Sequence, residues 1–378
     1  MSSHRVTAIL VLHDGARWLP KVIASLTSQT HPVNQSVAVD TGSEDGSAKL
    51  VKGARIPVLP MARDTGFGEA IGRAVSTLPK IVDPEREWIW LIHDDLSLHP
   101  NALANLIAEV ETKPSVAMAG PKLLGWHDHT HLLEIGVSIA ANGNRWTGLE
   151  PSEYDQGQRD GVHEVLAVST AGALIRRDVF EQLGGFDPNL DLFRDDVDFG
   201  WRLYSAGYTA IAVSSAIAFH AEASANERRT VDVAEAFLHR PLLLDRRNAA
   251  YVLLVNSSWW LLPILAFQLL AGAIFRAVGF LFAKLPGYAS DEILAVGALI
   301  LQPADLIKAR KVRRANRLVP SGIVSRFIPS RWSQTRLALS RSAEWIRTQL
   351  FPAEITEVRE ILVLDENLDE EKKYKQRQ

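Results

Sequence analysis

The feature that most limits what this chain can fold into is the alternation between residues 6 and 120. "VTAILVL" (6–12) is a continuous apolar run rich in β-branched residues, the pattern of a strand covered on both faces. "GARWLPKVIASLTSQ" (15–29) then spaces its apolar residues as a helix does. The pattern repeats: "QSVAVD" (35–40) and "IPVLPM" (56–61) read as strands, "SEDGSAKLVKG" (43–53) and "GFGEAIGRAVSTL" (66–78) as helices. "WIWLI" (88–92), "NALANLIAEVE" (101–111) and "SVAMAG" (115–120) continue as strand, helix and strand. Strands alternating with helices imply right-handed βαβ crossovers and a mostly parallel sheet with helices on both faces, a Rossmann-like α/β fold. In such sheets ligands sit beyond the carboxyl ends of the strands. The polar residues at those ends are His13 and Asp14, Asp40, and His93 to Asp95.

From 121 to about 240 the pattern is less regular. "VHEVLAVSTAGALIRRDVFEQLGGFD" (162–187) reads as a strand, a turn of small residues and a helix ending at Gly-Gly. "RDDVDFGWRLYSAG" (194–207) is a helix with acids in its first turn and a glycine after its last. "YTAIAV" (208–213) is a further strand. The short apolar run at 6–12 leads into His13-Asp14-Gly15, not a small-residue cleavage site, so the N-terminus is expected to be the first strand and not a secretory signal.

Composition excludes several classes. A net charge of −3 argues against a nucleic-acid binder that works by bulk electrostatics. The absence of cysteine rules out a disulfide framework, a thiolate zinc site and a cysteine nucleophile, and it suits a reducing compartment.

Past 245 the character changes. Residues 249–275 carry no charge, and "WWLLPILAFQLLAGAIF" is apolar enough for a membrane span. The basic cluster "KARKVRRANR" (308–317) follows; after a single clean crossing it would lie on the far side from a cytoplasmic domain. The expectation is therefore a re-entrant or in-plane arrangement whose basic cluster faces anionic headgroups. The alternative is a buried core helix followed by a solvated basic one, which Asn256 and Pro263 favour because they weaken a spanning helix. Four regions result: a catalytic-type α/β domain (1–245), an apolar then basic membrane-associating region (246–318), an amphipathic basic segment (319–353) and a charged, disordered tail (354–378).

Three acidic groups invite chemistry. Asp94 and Asp95 end a strand side by side and repel each other unless a cation intervenes. A hard divalent ion such as Mg²⁺ or Mn²⁺ accepts carboxylate oxygens and leaves places for phosphate; a solvated strand end is the plain alternative. Asp195, Asp196 and Asp198 crowd the first turn of the 194–207 helix, more acids than capping requires, and one of them pointing into the crevice can act as general base. Asp40, before Thr-Gly-Ser, either accepts a hydrogen bond from a base or ribose or forms an Asx turn. His220 ends an apolar strand and is either structural or a metal ligand.

Taken in order, these stretches resemble the inverting family 2 glycosyltransferases of the GT-A fold. "VAVDTGSEDGS" is similar to that family's "VDNGSTDGS", "RDTGFGEAIGRA" to its glycine-rich segment, and "LIHDDLSLHP" to its DXD motif. "STAGALIRRDVFEQLGGFDPNLDLFRDDVDFGWRLYSAGY" resembles its acceptor-side segment with the ED pair. Within the family, "RDDVDFGWR", "FH" and "RRN" (246–248) look most like cell-wall galactofuranosyl- and rhamnosyltransferases. The resemblance implies that Asp40 bonds N3–H of uracil or thymine, and that Leu12, His13 and Asp14 line the nucleotide pocket with Arg63 or Asp64 near the ring or ribose. It implies Asp94 at the donor diphosphate, Asp95 and His220 on Mn²⁺ or Mg²⁺, Asp196 as catalytic base, and Trp126, Asp195 and Trp201 on the acceptor side. His93 stands where the motif usually has its first aspartate, so its role is open. The implied donor is a UDP- or dTDP-sugar. The implied acceptor is a lipid-linked or cell-envelope glycan at the cytoplasmic face of the cell membrane. The processive QxxRW signature is absent, which implies single additions. Trp126, Trp146 and Tyr154 either stack on sugar faces or simply pack.

Two rival readings remain. A sugar nucleotidyltransferase needs a glycine-rich, basic loop after its first strand, and "LHDGARWLP" has one glycine and one arginine. A non-catalytic membrane-bound scaffold on a degenerate GT-A fold has no physical need for Asp40, Asp94, Asp95 and Asp196.

Overall fold

The computed structural model describes residues 4–150, 153–190, 193–221, 241–301, 303–330, 332–337 and 340. The tail expected over 354–378 lies outside the described residues, as does the part of the 319–353 segment after 340. Of these, residues 4–149, 153–190, 193–221, 241–301 and 303–329 form one compact unit, and residues 150, 330, 332–337 and 340 belong to a second. In the second unit, Glu150 accepts a hydrogen bond from the Ser340 hydroxyl at 2.8 Å.

The first unit opens β1 (Arg5–Leu12), α1 (Leu19–Thr27), β2 (Gln35–Asp40), α2 (Ser47–Gly53), β3 (Val58–Pro60), α3 (Phe67–Ser76), β4 (Glu87–His93), β5 (Leu96–Leu98), α4 (Ala102–Glu111) and β6 (Val116–Gly125). Short strands follow: β7 (Leu132–Glu134), β8 (Ser138–Ile139), β9 (Arg145–Trp146) and β10 (Val162–Val165). Then come β11 (Leu174–Arg176), α5 (Arg177–Gln182), α6 (Asp195–Ser205) and β12 (Thr209–His220). The main sheet runs β10-β12-β6-β11-β4-β1-β2-β3. Strands β3, β2, β1 and β4 are parallel neighbours, β12 and β6 are parallel, and β11 lies antiparallel between β4 and β6.

β1 shows why the apolar runs are continuous. Val6, Ala8, Leu10 and Leu12 face one layer with Trp18, Leu19 and Val22 of the α1 region and Leu103 and Leu106 of α4. Ile9 and Val11 face the other with Ile71 of α3, Phe180 of α5 and Phe199 of α6. Side chains alternate across a strand, so a strand covered on both sides needs apolar residues at every position. Each such buried aliphatic side chain contributes roughly 1.5–3 kcal/mol. Gly200 lets α6 press on the neighbouring backbone: a Cβ there would lie 2.2 Å from the carbonyl oxygen of Leu166.

Four helices follow: α7 (Pro241–Asn256), α8 (Leu262–Phe282), α9 (Pro286–Leu301) and α10 (Pro303–Ala315). The uncharged stretch 249–275 has two fates. Residues 249–255 of α7 are buried in the α/β core. The segment Trp259–Phe282 is long and apolar enough to cross a membrane and is mostly exposed, with Phe275 at 80% and Phe282 at 85%. Glu292 of α9, fully buried, holds the helices together by accepting from Arg246 of α7 at 2.8 Å and Arg276 of α8 at 2.9 Å.

A second buried network joins α10 to α6. Arg313 reaches Asp198 at 2.7 Å and Asp187 at 2.5 Å, Arg202 reaches Asp198 at 2.7 Å, and Asn256 donates to Asp198 at 2.8 Å. Burial alone would raise the Asp198 carboxyl, but the two guanidiniums hold it down at about 2. Removing one partner of a buried pair strands the other's charge, at roughly 3–5 kcal/mol. Arg313→Ala is therefore expected to lower the urea midpoint by that equivalent, whereas Arg314→Ala, an exposed neighbour, leaves it within error.

Candidate functional site

The carboxyl ends of three parallel strands stand level: Leu12 is paired in register with Asp40, and Val11 with His93. On the β1 side, Asp94 is buried and its Oδ2 accepts the backbone N–H of His13 at 2.7 Å. Gly15 makes that approach possible, since a Cβ there would lie 2.4 Å from the Asp94 carboxylate. His13 Nδ1 contacts the Thr41 hydroxyl at 2.9 Å, and the Leu12 side chain is buried beneath. Asp14 has φ +54°, a left-handed conformation that aspartate tolerates. It pairs with Arg63 at 2.7 Å, and its Oδ1 accepts the Glu44 N–H at 2.8 Å. Burial opposes ionisation of Asp14, but the Arg63 and Glu44 hydrogen bonds outweigh it and hold the carboxyl below its usual range. Arg63 also donates to the carbonyl of Gly42 at 2.9 Å, so it closes over the turn after β2. Asp40, 9% exposed, accepts the Ser43 N–H at 3.0 Å, which makes the turn an Asx type with one carboxylate oxygen used locally. Asp64 is exposed.

Asp95 turns the opposite way. β5 begins directly after it and pairs antiparallel with the end of β12, which sets His220 opposite Leu96. His220 Nε2 then lies 3.2 Å from Asp95 Oδ1. His93 stands edge-on to His220, with ring centroids 5.5 Å apart, and its Nε2 contacts the Thr170 hydroxyl at 3.1 Å. Ligand atoms of His93, Asp95 and His220 all lie within 4.8 Å of one another. Two imidazoles and a carboxylate in that span could hold a divalent ion.

The third group is built on α6. Phe193 and Arg194, at φ +66° and +70°, are consecutive left-handed residues just before it. Such strain clusters where surrounding structure fixes a functional geometry. Asp196, 4% exposed, accepts Arg145 Nε at 2.9 Å and the Val197 N–H at 2.7 Å. Arg145 also grips Glu134 at 2.6 Å, and Glu134 Oε1 is buried without a hydrogen-bond partner among the described residues. Burial drives the Glu134 carboxyl up against the pull of Arg145, and the charges of both Asp196 and His220 reach it. Arg145 and Glu134 were not singled out from the sequence: they lie in its irregular stretch, 51 residues and more from Asp196, and no spacing marks them.

The acceptor-side candidates separate. Asp195 adjoins Asp196, and its carboxyl is pushed up to about 7 by burial and then by the Asp196 charge. Trp126 packs on the α1-side core with Lys21 over its ring at 4.5 Å, and its backbone N–H donates to the His220 carbonyl at 3.2 Å. Trp201, 4% exposed, belongs to the opposite core layer. Tyr154 is exposed and Trp146 half-buried.

Comparison with known proteins gives three findings. The model of "Glycosyltransferase like family 2" matches residues 7–234. The N-acetylglucosaminyl-diphospho-decaprenol L-rhamnosyltransferase of Mycobacterium tuberculosis is 25% identical over 283 residues, covering 68% of this chain and 86% of that one. The O-antigen chain rhamnosyltransferase RfbN of Salmonella typhimurium is 23% identical over 218 residues, 57% of this chain and 66% of its own. Among solved structures, that of GalNAc-T7 with UDP, GalNAc and Mn²⁺ superposes with a TM-score of 0.50 at 12% identity. It covers 80% of this chain, which spans 58% of that one, and the likeness is one of fold, GT-A.

The raised Asp195 carboxyl makes a pH prediction. A carboxyl held at about 7 when folded, and near 4 when unfolded, keeps its proton only in the native state between those values. Its contribution is fully present below pH 4 and is lost as pH rises towards 7. Asp195→Asn, which cannot ionise, is expected to gain thermal stability relative to the parent between pH 4 and pH 7 and to hold that gain at pH 8. An equal difference in melting temperature at pH 4.5 and pH 8 would show that Asp195 ionises normally.

Proposed function

Because the chain belongs to glycosyltransferase family 2, we propose that it moves a sugar from a UDP- or dTDP-sugar to a hydroxyl of a lipid-linked cell-envelope glycan, with inversion, at the cytoplasmic face of the membrane. The observations that carry this reading are the His93–Asp95–His220 group at the carboxyl end of β4 and the Arg145-bound Asp196 at the start of α6. The relatives named as rhamnosyltransferases make a rhamnosyl donor the first to try. The diphospholipid in the name of one of them makes a sugar-diphospholipid the first acceptor.

In the proposed reaction the free Asp40 carboxylate oxygen accepts the N3–H of the base, and His13, Asp14 and Arg63 close the nucleotide side. Asp95, His220 and His93 would hold the divalent ion, which supplies positive charge against the departing diphosphate. Asp94, fixed by the His13 N–H, shapes the diphosphate pocket. Asp196 takes the proton of the acceptor hydroxyl while that oxygen bonds to the anomeric carbon. The carbon–oxygen bond to the diphosphate breaks on the opposite face, and the diphosphate carries away the electron pair. Arg145, paired to both Asp196 and Glu134, aims the base.

Membrane association is supported by the exposed apolar surface of the segment Trp259–Phe282, where Trp259, Trp260 and Phe267 are 78%, 60% and 74% exposed, and by the basic helix α10. Contiguous apolar surface of this kind marks an interaction site. An in-plane helix, with its tryptophans at the headgroup level, suits it better than a lone crossing.

Two measurements test the reading. General-base help is worth roughly 10²–10⁴-fold, so Asp196→Asn is expected to lose transfer by that factor while nucleotide affinity by calorimetry is unchanged. Asp95→Ala is expected to lose the Mn²⁺-dependent part of UDP or dTDP binding. Full transfer by Asp196→Asn, or unaltered metal-dependent binding by Asp95→Ala, overturns the respective assignment. Separately, replacing Phe267, Phe275 and Phe282 together with serine is expected to release the protein from vesicles in flotation; retained flotation would move the contact elsewhere.

A further inference from the structure

A cavity of about 300 Å³ lies on α10, between the end of α6 and the 183–189 turn. It shares no residue with the donor-side or base-side groups. Four cationic side chains line it, Arg202, Lys308, Arg313 and Arg317, against two anionic ones, Asp187 and Asp305. The charge of Asp187 is already engaged. It accepts Arg313 Nη2 at 2.5 Å, the Tyr251 hydroxyl at 2.8 Å and the Asn189 N–H at 2.9 Å.

The cations are not all satisfied. Arg202, 9% exposed, donates Nε to Asp198 at 2.7 Å and Nη1 to the Leu183 carbonyl at 2.9 Å, but its Nη2 is buried without a hydrogen-bond partner among the described residues. Arg317 donates Nη2 to the Asn256 carbonyl at 3.1 Å, and its buried Nε likewise has none. A buried guanidinium N–H left unpaired is costly, and a native structure that keeps two beside one cavity calls for an acceptor. Burial first, and then mutual repulsion, depress the neighbouring bases: Arg317 feels Arg314, and Arg310 feels Arg317 and Arg313. An anion in the cavity relieves that repulsion and offers several oxygens to planar donors, the match that guanidinium makes with phosphate.

We propose that this cavity is a phosphate-binding site, with Arg202 and Arg317 as its donors and Lys308 as a further charge. Two sources present that chemistry here. One is the headgroup of an anionic lipid, since α10 follows the exposed α8–α9 hairpin. The other is a free phosphate or diphosphate.

The test uses the full chain in EDTA without nucleotide, so that its outcome is independent of the transfer reaction. Inorganic phosphate and pyrophosphate are titrated by calorimetry, and vesicles of phosphatidylcholine with and without phosphatidylglycerol are scored by flotation. The variants are Arg317→Gln, Lys308→Gln, and Arg202→Lys, which drops the spare N–H and keeps the charge beside Asp198. Arg314→Gln is the control, removing an equal but exposed charge from the same helix that does not line the cavity. A lost charge-assisted bond is expected to weaken binding about tenfold or more. Soluble anions that bind the parent, weakened by Arg317→Gln but not by Arg314→Gln, support the site with a free phosphate as occupant. No soluble binding, but a phosphatidylglycerol-dependent gain in flotation lost with Arg317→Gln and kept with Arg314→Gln, supports it with a lipid headgroup. The proposal is overturned if neither probe binds, or if Arg314→Gln weakens binding as much as Arg317→Gln, because diffuse charge then explains the effect. If Arg202→Lys fails to fold, Arg317→Gln and Lys308→Gln still decide.

Discussion

Three carboxylates occupy the first turn of α6, and whether each is paired with a guanidinium sets it apart from the others. The helix dipole acts on all three alike, at about 0.3–1 kcal/mol each, so it cannot sort them. Nor does capping, since Arg194 occupies the N-cap and makes no side-chain cap bond. Asp198 is drawn inward by Arg202 and Arg313 and becomes the anchor of the C-terminal helices. Asp196 meets Arg145, which also holds Glu134. Asp195 has no such direct partner and is pushed towards its neutral form. One turn of helix therefore carries an anchor, the proposed base and a carboxyl held towards its neutral form, and these differences follow from tertiary pairing and not from local sequence.

The same sorting resolves the adjacent charges of Asp94 and Asp95. Successive side chains at a strand end point to opposite sides, so Asp94 turns towards Gly15 and the His13 N–H while Asp95 turns towards His220. The pair is separated by geometry before any ion is considered. What remains is a cluster of one carboxylate and two imidazoles, from Asp95, His93 and His220, that could hold a cation.

Much of this was legible in the sequence. β2 was read to the residue, and β1 and β4 to within one, because strands buried on both faces must be apolar throughout. The strand-end and helix-start acids were found because charge is conspicuous where an apolar run stops. Strands of two or three residues, such as β8 and β9, have no period to read, and β11 gives no sign that it lies antiparallel between two parallel sets. Arg145 and Glu134 escaped because an arginine announces nothing until the fold sets two carboxylates beside it. The uncharged stretch 249–275 shows the sharpest limit: protein core and membrane both select apolar residues, so composition could not separate the buried end of α7 from the exposed face of α8.

α7 connects these two environments. Its Arg246 pairs with Glu292 of the hairpin, while its Asn256 donates to Asp198 of α6. Arg313 of α10 fastens the same carboxylate from the other side. Buried bonds to ionised groups are each worth more than neutral ones, and several converging on one aspartate resist independent motion of the helices they join. If the α8–α9 hairpin lies on a membrane as proposed, that surface would set the orientation of α6, and with it the direction in which Asp196 faces. An acceptor anchored in that surface would meet the base in a fixed pose, so that the position of its hydroxyl is limited by its distance from the bilayer and less by contacts to the sugar itself. That economy suits a site whose candidate aromatic residues, Trp126 and Trp201, are largely taken up in packing.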